Sequence, residues 1–151
     1  MFQSSESKLA RRRVVITGLG IVSPVGNSVE EAWQNILAGR SGIGRVTRFD
    51  VSGFPVHIAG EVRNFDIGQY LSSKEARRMD VFIHYGMAAG LQAIRDAGLD
   101  AQPVAPERVG VSIGSGIGGL PMIENTCDDF AAGGVRKVSP FFVPGSIINM
   151  I

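Results

Sequence analysis

The sequence predicts an α/β fold in which helices cover a sheet. Two β-branched runs, residues 14–17 (VVIT) and 109–113 (VGVSI), each lead directly into glycines, as expected of buried strands that end in tight turns. Two helical patterns lie between the runs, and this order indicates a right-handed crossover. The composition is compatible with a globular core, because 44% of the 151 residues are hydrophobic and 19% are charged.

The first helical pattern begins at Ser28. Glu31 follows three residues later, which is the spacing of a capping box, and Gly39 is a stop signal. Four apolar residues share one face of this predicted helix: Val29, Trp33, Ile36 and Leu37. After a glycine-rich connector over residues 40–54, residues 57–62 predict a short, partly exposed strand.

A second capping box, Ser72 with Glu75, opens a basic turn and precedes a long helix that ends at Gly98. Within that helix, Gly86 and Gly90 lie four residues apart, so we expect another group to approach its backbone there. His84 lies in the same helix, and we expect it and His57 to have structural rather than catalytic roles.

Four glycines between positions 114 and 119 form a tight turn after the second predicted strand, and a helix is expected over residues 120–130. The run also satisfies G-x-G-x-x-G, the dinucleotide fingerprint, which places a pyrophosphate at a helix N-terminus. The acidic residue required about 20 positions later is missing, and Asp128 and Asp129 come too early. Close packing of the backbone is therefore preferred over nucleotide binding.

Charge and cysteine content exclude several classes of function. The net charge of +1 indicates no general affinity for nucleic acid, and the single cysteine excludes an internal disulfide framework and fits a cytoplasmic protein. Residues 1–10 are expected to be a mobile tail and residues 11–151 one domain. Because residues 144–146 resemble a helix start and an apolar run follows, we expect the chain to be the N-terminal part of a longer protein.

Four separated stretches resemble one family. VVITGLGIVSPVGNS, KEARRMDVFIHYG, IGSGIGGL and KVSPFFVPGSIINM are similar to the β-ketoacyl-[acyl carrier protein] synthase II family, and the resemblance covers residues 11–151. It implies the N-terminal half of a thiolase-like fold, a layered α/β structure with a mixed sheet covered by helices, incomplete in this chain. It also implies fatty-acid elongation: an acyl group held as a cysteine thioester is condensed with decarboxylated malonyl-carrier protein.

The same resemblance implies that this chain holds no catalytic residue, metal or cofactor. The family's nucleophilic cysteine, its histidines and its lysine match positions beyond residue 151, so the chain is expected to be inactive alone. Cys127 does not match the nucleophile motif. Asp128 and Asp129 follow it directly, and nearby carboxylates disfavour the reactive thiolate.

The resemblance does assign two kinds of binding residue. An acyl pocket is implied at Gly116 and Ile117, with Phe142 and Val143 reaching it from the other subunit of a homodimer. Acidic acyl carrier protein, acyl- or malonyl-loaded, is expected to dock on five basic residues: Lys74, Arg77, Arg78, Arg136 and Lys137.

The sequence is also compatible with other functions. Synthase I and the polyketide ketosynthases share the fold and chemistry, although residues 114–120 and 139–149 favour synthase II. A non-catalytic partner subunit of a condensing enzyme is the main alternative, and a nucleotide-binding domain is the other.

Overall fold

The structure is a computed structural model that describes residues 13–101 and 104–151. The predicted tail at residues 1–10, and Pro103 in the proline-containing segment before the predicted strand 109–113, lie outside the described residues. The helices and strands are α1 (Val29–Leu37), β1 (Ile43–Arg45), β2 (Ile58–Gly60), α2 (Ser73–Ala76), α3 (Val81–Asp96), α4 (Leu120–Gly133) and α5 (Phe142–Ser146). Short 3-10 helices occupy Ile67–Gln69, Pro106–Arg108, Gly134–Lys137 and Ile148–Met150.

Helix α1 begins and ends where the sequence predicts. The Ser28 hydroxyl accepts the Glu31 N–H at 3.2 Å, and the Glu31 carboxylate accepts the N–H of Asn27 at 2.7 Å. Gly39 ends the helix with a φ of +64°, a conformation that costs glycine little. Only Ala32 of this helix is buried, so its apolar face is largely exposed.

Helices α2 and α3 confirm the second capping signal. Ser72 and Glu75 form a complete capping box, because the Ser72 hydroxyl accepts the Glu75 N–H and the Glu75 carboxylate accepts the Ser72 N–H. Helix α2 then stops at Ala76, and Asp80 is the residue that precedes α3. The basic turn therefore starts within α2, which holds Lys74, and continues through Arg77 and Arg78 before α3 begins.

The chain just before α1 packs tightly on α3. A side chain at Gly20 would collide with the carbonyl oxygen of Ala89, which explains why glycine is needed at this approach. The Leu19 N–H donates to the Asp96 carboxylate at 2.8 Å. Residues 18–21 are thus held against the helix by backbone contact and a side-chain acceptor.

The predicted central strands at residues 14–17 and 109–113 are not paired within the described residues. Val14 is 91% exposed and Val111 80% exposed, and neither segment belongs to a ladder. The sheet seen in this part of the chain instead pairs β1 with β2 antiparallel, with Gly44 opposite Ala59. The strand assignments were wrong for this structure, because β-branched composition favours extended backbone but a ladder also requires a hydrogen-bonding neighbour.

The predicted strand over residues 57–62 is confirmed in its centre as β2, and Glu61 fastens the loop beside it. The Glu61 carboxylate accepts the backbone N–H of Thr47 at 3.0 Å and the Thr47 hydroxyl at 2.8 Å. These hydrogen bonds hold the pKa of Glu61 below its ordinary value. Arg48, the next residue, donates to Tyr85 of α3 at 2.9 Å and so connects this loop to the helix.

The last part of the chain differs from its predicted form. Helix α4 is confirmed and extends to Gly133, but residues 144–146 end helix α5 instead of starting a helix. The carbonyl of Ser146 accepts the Gly119 N–H at 2.8 Å, and Ile147 is extended with a ψ of 144°. The turn around Gly119 therefore takes the acceptor that a continuing helix would use.

The buried hydrophobic residues of the described chain are few: Ala32, Val51, Ile83 and Ala88. Within residues 13–101 and 104–151, no helix has the length and apolar character needed to cross a membrane.

Candidate functional site

The glycine turn before α4 packs against the end of α5. Gly118 has a φ of +88°, and a side chain on it would lie 2.7 Å from the Ser146 carbonyl oxygen. A side chain on Gly119 would lie 2.9 Å from the Ser146 Cα atom. Gly114 and Gly116 face open space, since a Cβ atom on either would meet no other group within 4 Å. Close packing thus accounts for the second half of the glycine run only.

The N-terminus of α4 is closed by an acidic side chain. Asp80 Oδ2 accepts the Met122 N–H at 2.7 Å, and Pro121 has no N–H to offer. The N–H groups of Leu120 and Ile123 donate to carbonyls of the glycine turn. Because the donors of this first turn are taken and a carboxylate lies there, the site is unsuitable for a pyrophosphate. This arrangement argues against the nucleotide interpretation.

An apolar cavity of about 420 Å³ opens beside the turn. Three of the residues that the family resemblance implies for the pocket fall near it: Ile117, Phe142 and Val143 all line this cavity. The other lining residues, which the sequence did not single out, are Ile123, Ser146, Ile147 and Ile148. Gly116 precedes Ile117 and is exposed, and it does not line the cavity. Here Phe142 and Val143 line a cavity with Ile117 of the same chain, while their reach into a partner subunit stays a prediction.

Ile117 forms an exposed wall of this cavity. Its side chain is 69% exposed, so a bulky neighbour is not holding it in place. The sequence did not single out Ile123, in the first turn of α4, because an apolar residue in a helix carries no local sign of a pocket. Apolar walls with few polar groups suit a hydrocarbon chain.

The predicted basic residues are exposed at two neighbouring places. Lys74 lies in α2, and Arg77 and Arg78 follow it, while Arg136 and Lys137 belong to the 3-10 helix after α4. We call these five residues the basic surface.

The two parts of the basic surface are connected through Phe141. The Arg78 guanidinium carbon lies 4.4 Å from the centre of the Phe141 ring, a cation–π contact. Lys137 is four residues before Phe141, so their Cα atoms are at most about 14 Å apart. Arg78 therefore joins the turn after α2 to the segment that carries the second pair of cations. Phe141 is followed at once by Phe142 and Val143, which line the cavity, so the basic surface approaches the apolar cavity at Arg78.

The polar contacts of the two histidines fit structural roles. The ring of His84 makes a 2.9 Å hydrogen bond with the Ala76 carbonyl oxygen, and the ring of His57 makes one of 2.7 Å with the Phe54 carbonyl oxygen. Cys127 is exposed on α4. The expectation that this chain holds no catalytic residue stays a prediction.

These features match the fold of the ketosynthases. The chain superposes on a ketosynthase/chain length factor of the ishigamide system with a TM-score of 0.70 and 33% identity, over 89% of this chain and 34% of that one. The class defined by the fold is thus that of thiolase-like condensing enzymes.

The family follows from the sequence itself. Residues 11–151 match the family model of the β-ketoacyl synthase N-terminal domain, and the chain belongs to this family. It is 53% identical over 143 residues to the 3-oxoacyl-[acyl-carrier-protein] synthase 2 of Vibrio cholerae serotype O1, covering 95% of the chain and 34% of that protein. It is 54% identical over 142 residues to the protein of the same name from Coxiella burnetii, covering 94% of the chain and 34% of that protein. The chain spans about a third of the length of these relatives.

Proposed function

We propose that this chain provides the acyl-chain pocket and the carrier-protein docking surface of a 3-oxoacyl-[acyl-carrier-protein] synthase that elongates fatty acids. The observation that carries the proposal is the adjacency of an apolar cavity of about 420 Å³ and the basic surface. A carrier-bound fatty acyl group has both complementary parts, an apolar chain and an acidic protein. The names of the relatives support the same substrate class.

The cavity contributes binding energy through its apolar walls. Each methylene group buried from water is worth about 0.8 kcal/mol, so two more buried methylenes strengthen binding somewhat more than tenfold. Ile117, Phe142 and Val143 supply walls without a buried charge. The pocket is therefore expected to bind long acyl chains more tightly than short ones.

The basic surface contributes orientation and association rate. Complementary charges on two proteins mainly speed their encounter, and salt screens this effect. The stacking of Arg78 on Phe141 limits the freedom of its guanidinium group. A carrier docked there delivers its acyl chain next to the cavity.

The condensation itself is assigned to residues outside this chain. In the proposed reaction a cysteine holds the acyl group as a thioester, and malonyl-carrier protein loses carbon dioxide. The resulting carbanion then attacks the thioester carbonyl and displaces the cysteine thiolate. The exposed apolar residues of 14–17 and 109–113 fit a domain that packs within a longer synthase. A homodimer and a cytoplasmic location belong to the same proposal.

The proposal is tested by two titrations of this chain. Acyl carrier protein should bind with an affinity that falls steeply with salt. Pantetheine thioesters should bind with affinity that rises from hexanoyl to dodecanoyl. Saturable binding of nicotinamide or adenine nucleotides would contradict the proposal. Thioester binding that does not depend on acyl length would also contradict it.

A further inference from the structure

We infer that Asp80 is the positioning residue that holds the two walls of the acyl cavity together and joins them to the basic surface. The functional part of the inference concerns the length of the acyl chain that the cavity accepts, and this part rests on the proposed function. Its structural part is the coupling of α4, bonded to the Asp80 carboxylate, to α5, bonded to the Asp80 backbone N–H, and this part depends only on the contacts of Asp80.

Asp80 is 5% exposed and precedes α3, yet its side chain does not cap that helix. Its Oδ2 atom instead accepts the N–H of Met122, the third residue of α4, at 2.7 Å. Gly119, the residue before α4, has no side chain with which to cap it. Asp80, the residue before α3, thus supplies the acceptor that a Ser, Thr or Asn at the N-cap of α4 would usually supply.

The backbone of Asp80 is joined to α5. Its N–H donates to the Gly145 carbonyl at 3.1 Å, and the Gly119 N–H donates to the next carbonyl, that of Ser146, at 2.8 Å. Asp80 Cβ lies 2.9 Å from the position that a side chain on Gly119 would occupy. The end of α5 is therefore enclosed between Asp80 and the glycine turn.

These two connections reach two groups of residues that line the cavity, one at the start of α4 and one in α5. Ile117 lies two residues before Gly119, and Ile123 lies in the helix that Asp80 caps. Phe142 and Val143 lie in α5, whose last turn is bonded to the backbone of Asp80. A loss of the Asp80 carboxylate should consequently change the separation of the walls as well as the stability of α4.

Asp80 also connects the cavity to the basic surface. Arg78 lies two residues before it, and the Arg78 carbonyl oxygen is so close to Gly145 that a side chain there would lie 2.5 Å away. The Arg78 guanidinium group contacts Phe141, directly before α5. A carrier protein that binds Arg78 therefore acts on a segment already fastened to both walls.

The second oxygen of Asp80 is consistent with a role set by geometry. Oδ1 is buried and has no hydrogen-bond partner among the described residues. A buried polar atom without a hydrogen-bond partner lowers the stability of the fold. An apolar residue of the same shape would avoid this loss, but it could not accept the Met122 N–H. The residue type is explained by the one bond that Oδ2 makes.

The test compares Asp80→Ala, which removes the acceptor, with Asp80→Asn, which keeps one. Ser28→Ala is the matched control, because it removes the side-chain cap of α1 away from the cavity. Hydrogen exchange of the chain should show that Asp80→Ala speeds exchange of the Gly145 amide of α5 and of the Ile147 amide that follows it about fivefold, the equivalent of one lost cap. Ser28→Ala should leave these amides unchanged.

The second measurement is the ratio of dissociation constants for hexanoyl- and dodecanoyl-pantetheine. We expect Asp80→Ala to reduce this ratio about fivefold and Asp80→Asn to restore most of it. Unchanged exchange in α5, an Asn variant that behaves like Ala, or a loss equal for both thioesters would overturn the inference. If the unaltered chain does not distinguish the thioesters, the proposed acyl pocket is wrong, and exchange in α5 alone decides whether Asp80 couples the two helices.

Discussion

Replacing Ile117 with phenylalanine is expected to exclude long acyl chains while sparing short ones. Ile117 lines a cavity of about 420 Å³ together with Phe142 and Val143. A phenyl ring at this position projects into the space that the distal methylenes of a long chain must enter. Short chains end before they reach that space, so they should lose little.

The size of the effect follows from the burial of methylene groups. If the ring displaces two methylenes from the cavity, binding weakens by about 1.6 kcal/mol, at about 0.8 kcal/mol each. This corresponds to somewhat more than a tenfold rise in the dissociation constant of dodecanoyl-pantetheine. The ring itself should cost little folding stability, because Ile117 is 69% exposed and the substitution displaces no tightly packed neighbour.

The assay is a titration with hexanoyl- and dodecanoyl-pantetheine, measured beside thermal unfolding of the same variants. Ile58→Phe is the control, since Ile58 is also an exposed isoleucine but lies in β2, outside the cavity lining. A loss that is equal for both thioesters, or one that Ile58→Phe reproduces, would refute the role of Ile117 in selecting chain length.

Four further results are expected. Arg77→Glu should weaken carrier-protein binding, most strongly at low salt, and leave pantetheine thioesters unaffected; equal weakening of both would exclude docking. In a chimeric synthase that carries residues 11–151 in place of the matching third of a synthase 2 relative, Cys127→Ser should still form the acyl-enzyme, as seen by mass spectrometry. The stabilisation from Glu61 should be complete well above pH 4.5, its ordinary pKa, and vanish as the pH falls through its lower folded pKa. The free energy of urea unfolding of Glu61→Gln should therefore differ from that of the parent well above pH 4.5 and match it below the folded pKa. Gly20→Ala should destabilise the chain by about 1–3 kcal/mol through collision with helix α3, whereas Gly90→Ala, with nothing within 4 Å, should be neutral or stabilising.

Helix ends were predictable because their signals are local. Ser28, Ser72 and Gly39 act on backbone groups within a few residues, so the same pattern produces the same cap in many proteins. The family resemblance likewise depended only on stretches of sequence, and the match over residues 11–151 confirms it.

Glycines were only partly interpretable. The sequence indicates close approach at Gly86 and Gly90 alike, but only Gly86 is near another group, the side chain of Ile151. In the glycine turn, Gly118 and Gly119 are packed while Gly114 and Gly116 are open. A glycine in the sequence permits close approach, but which segment approaches it depends on contacts between residues far apart in the chain.

The predicted strands likewise show that contacts between distant residues cannot be predicted from local composition. Residues 14–17 are β-branched, but the paired strands are β1 and β2, which lie elsewhere and are only three residues long. Composition sets the preference for extended backbone, and pairing depends on which neighbours are present.

Local pattern therefore determined the caps of α1 and α2, the end of α3 and the family, since each depends on residues adjacent in sequence. Only the tertiary structure decided that the carboxylate of Asp80 caps a helix that starts 40 residues later. It also decided that Phe142 and Ile117 of the same chain line one cavity. Asp80 stands at the N-cap of α3, so its place in the sequence signals a cap of that helix and not of α4. Its role arises when the folded backbone brings the N–H of Met122 within 2.7 Å of its oxygen.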